Sequence, residues 1–182
     1  MKYLLPLIAV VGLFVLLGVG LGLNPREVPS PLIGKAAPAF SLSKLRSPDQ
    51  IITESSLSEG VTLFNVWATW CLACRQEHDL LVGLKKAGVK IVGLNYKDER
   101  GPAIQWLDQR GDPYVSTVFD PDGKAGIEWG VYGVPETFVI DDQGVVRFKH
   151  IGPLTVQSMQ EQLIPLLKEL QAEQAGGQHA TL

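Results

Sequence analysis

Residues 61–78 read Val61-Thr62-Leu63-Phe64-Asn65-Val66-Trp67-Ala68-Thr69-Trp70-Cys71-Leu72-Ala73-Cys74-Arg75-Gln76-Glu77-His78, and within them the chain changes period. From Val61 to Ala68 it is almost continuously apolar and rich in β-formers, as expected of a central strand buried on both faces. From Cys71 to Ala87 the pattern becomes helical, with Leu80, Leu81 and Leu84 flanked by Arg75, Glu77, Asp79, Lys85 and Lys86, and Gly88 placed to end it. Trp70-Cys71-Leu72-Ala73-Cys74 sits at the junction, so Cys71 falls at a helix N-terminus and Cys74 one turn inside. Unpaired backbone N–H groups and the helix dipole stabilise a thiolate there, which can lower a cysteine pKa from about 8.5 to roughly 3.5–7.5. Cys71 is therefore the expected nucleophile, attacking a partner disulfide. Cys74 is the expected resolving thiol, displacing the partner and closing the Cys71–Cys74 bond.

Working outward, Lys90 to Tyr96 reads as a second buried strand. Pro102 to Gln109, with Ile104, Trp106 and Leu107, reads as a second helix. Strand, helix, strand, helix implies parallel pairing. Thr137 to Ile140 and Val145 to Phe148 are strands separated by Asp141-Asp142-Gln143-Gly144, a short polar connection that fits a hairpin and makes the sheet mixed. Ala39-Phe40-Ser41-Leu42 and Ile51-Ile52-Thr53 are shorter strand candidates around a turn at Ser47-Pro48-Asp49. A final helix from Thr155 to Gln174 places Met159, Leu163, Leu166, Leu167 and Leu170 on one face, and Pro165 should kink or split it. Residues 175–182 read as a disordered tail. The fold class is α/β, with a mixed central sheet flanked by helices.

Tyr3 to Leu23 is a run of 21 residues without charge, and a helix of that length spans roughly 30 Å of hydrocarbon. The reading is a retained transmembrane anchor over residues 1–23. The competing one is a cleaved signal peptide, whose apolar stretch is usually only about 7–15 residues. Lys2 precedes the run while Arg26 and Lys35 follow it, so charge does not decide the orientation. Asn24 to Pro31 carries three prolines, so residues 24–37 are expected to form an extended spacer ahead of one domain over 38–174. The 182 residues leave no room for a second full domain, and 16 basic and 19 acidic residues mixed along the chain offer no nucleic-acid surface.

Only two cysteines are present, too few to staple a domain of this size. A zinc site would need two further ligands from His78, His150 and His179, which lack metal-site spacing. A static disulfide would close so small a loop that it adds little stability. Neither a metal nor another cofactor is expected, and His78 reads as a surface residue. Gly133-Val134-Pro135-Glu136-Thr137-Phe138 is the second informative run. A cis bond before Pro135 would turn the Val134 backbone toward the cysteines and leave it free to pair with a substrate peptide; otherwise Pro135 simply starts a strand.

Asn65-Val66-Trp67-Ala68-Thr69-Trp70-Cys71, Cys74-Arg75-Gln76-Glu77-His78 and Gly133 to Phe138 together resemble the thioredoxin superfamily. Gly93-Leu94-Asn95-Tyr96-Lys97-Asp98, Gly130-Val131-Tyr132-Gly133 and Gly34-Lys35-Ala36-Ala37-Pro38-Ala39-Phe40 look like its DsbE/CcmG group. The resemblance covers roughly Pro29 to Leu170. It implies a thioredoxin-like fold, a cis peptide bond before Pro135 and a periplasmic domain on a single-pass inner-membrane anchor. It further implies a dedicated reductant of apocytochrome c, or of cytochrome c assembly proteins, that draws electrons from a transmembrane thiol reductase of the DsbD or CcdA kind. Trp70 and Val134 would form the docking surface beside Pro135, Tyr132 and Asp98 would line a groove, and Trp67 would pack in the core. Two departures stand out. Thioredoxin carries a buried aspartate where this chain has Asn65, and an amide cannot take the resolving thiol's proton. Glu136 is the first candidate substitute and Glu77 the second. The Leu72-Ala73 dipeptide lacks the proline that members of this group often carry, which bears on the reduction potential. A general oxidase or isomerase shares every motif. A peroxiredoxin would need a Pro-x-x-x-Thr-x-x-Cys run that is absent, and a copper carrier or binding-only module resembles CxxxC rather than CxxC.

Overall fold

The computed structural model describes residues 4–22 and 30–179. In chain order the elements are α1 (Leu4–Gly22), β1 (Ser41–Ser43), β2 (Ile51–Thr53), a 3₁₀ turn at Glu54–Leu57, β3 (Thr62–Trp67), α2 (Leu72–Lys86), β4 (Lys90–Tyr96) and α3 (Arg100–Arg110). There follow β5 (Ser116–Asp120), α4 (Lys124–Glu128), β6 (Glu136–Ile140), β7 (Val146–Ile151), α5 (Val156–Ser158), a π-helical turn at Met159–Leu163 and α6 (Ile164–His179). α1 has 19 residues without a charge. Its side chains are described only at Ile8 and residues 10–18, and among the described residues no helix is long and apolar enough to cross a membrane.

Every residue of β3 is buried, which is why its sequence is apolar at nearly every position. It lies at the centre of a five-stranded sheet of order β5-β4-β3-β6-β7, parallel to β4 and antiparallel to β6. β4 and β5 are also parallel, and β6 and β7 form the expected hairpin. Alternation along β3 sends Leu63 and Trp67 to one face and Phe64 and Val66 to the other. The first face is covered by α2, α3 and α6 through Leu81, Leu84, Ala103, Leu107, Leu167 and Leu170. The second packs Phe64 and Phe138 against Phe40, Ile52, Leu57 and Trp129, with Phe64 and Trp129 ring centroids 4.4 Å apart.

Several expectations are amended. The sequence reading passed over β5 and α4; α4 has only five residues, too few to show a period. Ser116–Asp120 nevertheless stood between Pro113 and Pro121-Asp122-Gly123, the punctuation that brackets a strand. Residues 24–29 of the proposed spacer lie outside the described residues, but its second half is docked: Gly34 and Ala37 donate to the Val146 and Gly144 carbonyls, and Val146 donates back to Lys35. The last helix is split as Pro165 required, by the π turn that ends one residue before α6 begins. α6 runs on to His179, so 175–179 are helical rather than a disordered tail, and 180–182 lie outside the described residues.

Gly93 marks the tightest packing in β4. A Cβ there would lie 2.9 Å from Thr117 Oγ1 and 3.0 Å from both Trp67 Nε1 and Tyr114 Cγ. Because Trp67 and Tyr114 are stacked buried rings, Gly93→Ala should destabilise the domain by about 1–3 kcal/mol, read as a lower urea midpoint at unchanged slope. A variant within 0.5 kcal/mol of the parent, a shift that needs no repacking, would count against this packing.

Candidate active site

Where β3 ends, Cys71 caps the N-terminus of α2 in an extended conformation, φ −83° and ψ 110°. It is joined to Cys74 by a disulfide with 5.3 Å between Cα atoms, and its Sγ accepts a hydrogen bond from the Cys74 N–H at 3.0 Å. The Cys74 N–H in the first turn of α2 thus points at the sulfur that must become the thiolate. The Val134–Pro135 bond is cis, and it sets the Val134 carbonyl 3.4 Å from Cys71 Sγ. The residues flanking Cys71 in the chain are apolar and open, Trp70 56% and Leu72 71% exposed, and Tyr132, two residues before Val134, is 78% exposed.

The loop before Cys71 is pinned from β4. Trp70 Nε1 donates to the Lys97 carbonyl at 2.9 Å, and Lys97 itself holds φ +47°. Asp98 accepts from the Thr69 N–H at 2.6 Å, from Thr69 Oγ1 at 2.7 Å and from Asn95 Nδ2 at 2.9 Å. Asp98, half-buried, thereby braces Thr69. Trp67 is core, as read from sequence.

On the inner side of the pair, α2 buries Cys74, Glu77, His78, Leu81 and Leu84 along one face. Glu77 Oε1 accepts from Asn65 Nδ2 at 2.9 Å and Oε2 from the Leu154 N–H at 2.7 Å. Asn65 Nδ2 also reaches Thr137 Oγ1 at 3.0 Å, and its Oδ1 accepts from the Tyr114 hydroxyl at 2.8 Å. Burial pushes the Glu77 carboxyl up to about 7, against the lowering effect of the Leu154 and Asn65 donors. A carboxylic acid poised near neutral pH, one turn from the resolving cysteine, is suited to exchanging a proton with it.

Glu136, ranked first from sequence, is turned away. It shares the face of Phe138 and Ile140, opposite the face that holds Asn65 and Trp67. It is fully buried, paired with Lys149 Nζ at 2.9 Å, and accepts from the Tyr132 N–H at 3.0 Å. Lys149 also donates to the Gly130 carbonyl at 2.7 Å and lies 4.6 Å from the Tyr132 ring centroid. Committed to that pair on the far side of the sheet, Glu136 is not placed to receive the Cys74 proton. His78, read as a surface residue, is 3% exposed, with Nε2 2.9 Å from the Gly111 carbonyl and its ring edge-on to Trp106. Among the described residues no three His, Cys, Asp or Glu side chains converge as a metal site would need.

The Redoxin family pattern matches residues 32–163, most of the chain and the whole of the site. The thiol:disulfide interchange protein DsbE of Allochromatium vinosum is 47% identical over 171 residues, covering 93% of this chain and 94% of that protein. This chain belongs to the Redoxin family, with the DsbE proteins. The Escherichia coli K12 DsbE is 44% identical over 155 residues, covering 85% of this chain and 84% of its own. A secreted thiol-disulfide isomerase from Corynebacterium glutamicum superposes with a TM-score of 0.63 at 23% identity, over 72% of this chain and 85% of its own, a likeness of fold. The DsbE-type chain is accordingly a thiol:disulfide oxidoreductase of thioredoxin-like fold, with Cys71 and Cys74 as its redox pair. Thr69, Lys97, Tyr114, Thr137 and Lys149 complete the DsbE-type site, and the sequence reading gave none of them a role. The partners of Thr69, Lys97, Tyr114 and Thr137 lie 29, 27, 49 and 72 positions away, and Lys149 reaches Gly130 across 19.

Proposed function

We propose that the protein is a membrane-anchored periplasmic reductant serving cytochrome c maturation, and that Glu77 takes the proton from Cys74. The observation that carries it is the Cys71–Cys74 pair beside the cis Val134–Pro135 bond in a DsbE-type chain. The uncharged run from Tyr3 to Leu23 in the sequence supports an anchor over residues 1–23, followed by a spacer, with the catalytic domain beyond it in the periplasm.

In the reducing direction the Cys71 thiolate, stabilised by the α2 N-terminus, attacks one sulfur of the client's disulfide and releases the other as a thiolate. The client's extended backbone pairs with Val134, and Trp70 and Tyr132 offer apolar contact on either side. Glu77 then removes the Cys74 proton. The Cys74 thiolate attacks Cys71 Sγ, the second client thiolate leaves, and the Cys71–Cys74 disulfide forms. A transmembrane thiol reductase of the DsbD or CcdA kind restores the dithiol. The client is apocytochrome c or a cytochrome c assembly protein.

Cys74→Ala stops the cycle at the mixed disulfide. Expressed full-length in its own cell and quenched with acid, this variant should hold apocytochrome c, an assembly protein or a membrane thiol reductase on Cys71. A broad set of unrelated secreted proteins would instead make it a general oxidase or isomerase, and an empty Cys71 would make it a binding module.

A further inference from the structure

Beyond the cysteines and the buried acid, one hydrogen-bonded chain of the inner face has no evident structural need. Tyr114, 5% exposed, stacks on Trp67 and would pack as well as a phenylalanine, yet its hydroxyl reaches into the sheet to donate to Asn65 Oδ1 at 2.8 Å. An asparagine amide can face either way, and which end meets a carboxyl group decides which protonation state it favours. Here the oxygen is held by Tyr114, so Nδ2 is left to donate to Glu77 Oε1 and Thr137 Oγ1. A donor facing Glu77 favours the carboxylate. An oxygen in its place would favour the acid.

We propose that Tyr114 is a positioning residue for the resolving step: its hydroxyl locks the Asn65 amide with Nδ2 toward Glu77 and so keeps that carboxylate ready to accept the Cys74 proton. The inference rests on Glu77 being that acceptor. Written out, Cys74–SH gives its proton to Glu77–COO⁻. The resulting thiolate attacks Cys71 Sγ of the mixed disulfide, and the partner's sulfur departs as a thiolate carrying the electron pair of the broken bond. Charge and electrons balance, and no further reactant enters.

The groups that meet the Glu77 carboxylate are Asn65 from β3 and the Leu154 N–H beyond β7, with the Tyr114 hydroxyl behind Asn65. Cys74 lies one turn before it on α2. His78, the other buried titratable residue of that face, is turned to the Arg110 and Gly111 carbonyls. Tyr114 is buried and its hydroxyl stays protonated, since burial and the nearby carboxylates Glu77 and Asp112 push its pKa well up. It is a fixed donor at every working pH.

The test is stopped-flow reaction of the reduced full chain with 5,5′-dithiobis(2-nitrobenzoate), which releases one coloured thiolate when Cys71 attacks and a second when Cys74 resolves. In Tyr114→Phe the second phase should slow several-fold at neutral pH, its acid limb moving up by about one pH unit, while the first phase is unchanged. Asn65→Leu, which keeps about the same shape but removes the donor facing Glu77 without adding a new acid, should move the limb the same way and serves if Tyr114→Phe folds poorly. Glu77→Gln is the reference. If it leaves the second phase and its pH profile as they were, the proton-acceptor reading fails and this inference with it. If Glu77→Gln removes the acid limb but neither Tyr114→Phe nor Asn65→Leu moves it, only the role of Tyr114 is overturned. A slowing by Tyr114→Phe of the same size in the Glu77→Gln background would mark the effect as structural and overturn the inference too.

Discussion

Lys149→Met should destabilise the domain by about 3–5 kcal/mol, the cost of leaving a buried charge without its partner. Lys149 and Glu136 side chains are 2% and 0% exposed, and their Nζ–Oε2 contact is 2.9 Å. Methionine fills the volume of the lysine stem but returns no charge and no hydrogen bond to the Gly130 carbonyl. Glu136 would then face apolar neighbours as an unpaired carboxylate, or take up a proton. The damage should not stay local, because Glu136 also holds the Tyr132 N–H and Lys149 holds Gly130, the two ends of the turn that leads into cis-Pro135. Urea unfolding at neutral pH measures the loss. Adding Glu136→Gln to Lys149→Met should recover more than half of it, since the stranded charge is then gone. If Lys149→Met costs less than 1 kcal/mol, or if the second substitution recovers nothing, the pair does not hold that turn.

Glu77→Gln should make the protein a poorer catalyst and, in mild alkali, a more stable one. The Glu77 carboxyl titrates at about 7, up from 4.5, because it is buried. Between those values the native state keeps a proton that the unfolded chain has already released. The native state therefore binds more protons in that window, and stability falls as pH rises. The contribution is whole below about 4.5 and is lost as pH climbs through 7, amounting to about 3 kcal/mol in all. Glutamine abolishes this slope at the cost of about one hydrogen bond to the Asn65 amide, so at pH 8 the variant should be roughly 1–2 kcal/mol more stable than the parent. Over the same range the resolving step should slow by about a hundred-fold, the usual worth of a positioned proton acceptor. Urea midpoints at pH 5 and pH 8, with single-turnover rates beside them, decide the matter. Parallel pH slopes for parent and variant would refute the linkage, and an unchanged resolving rate would remove Glu77 from the reaction.

Much of this architecture could be read from the chain because two signals were strong: a strand buried on both faces and a helix opening on a cysteine. They fixed β3, α2 and the redox pair, and Pro135 was placed by its motif. The ranking of Glu136 ahead of Glu77 has a definite cause. Glu136 is adjacent in sequence to the cis-proline, but side chains alternate across a strand, and which face it took depended on its register with β3. Glu77 was recoverable. Cys74, Glu77, His78, Leu81 and Leu84 recur at helical spacing, so the acid and the histidine belong to the buried stripe, and reading His78 as a surface residue followed residue type over position. The Asn65–Tyr114 contact spans 49 positions and leaves no local trace in the sequence.

The segment around 34–53 touches both margins of the sheet. At one side Ala36 bridges Val145 beside β7, and at the other Lys44 bridges Val118 in β5. An unprotected margin is a template on which another polypeptide can extend the sheet. With its own backbone bridged at these positions, neither margin is free there to take up a further strand.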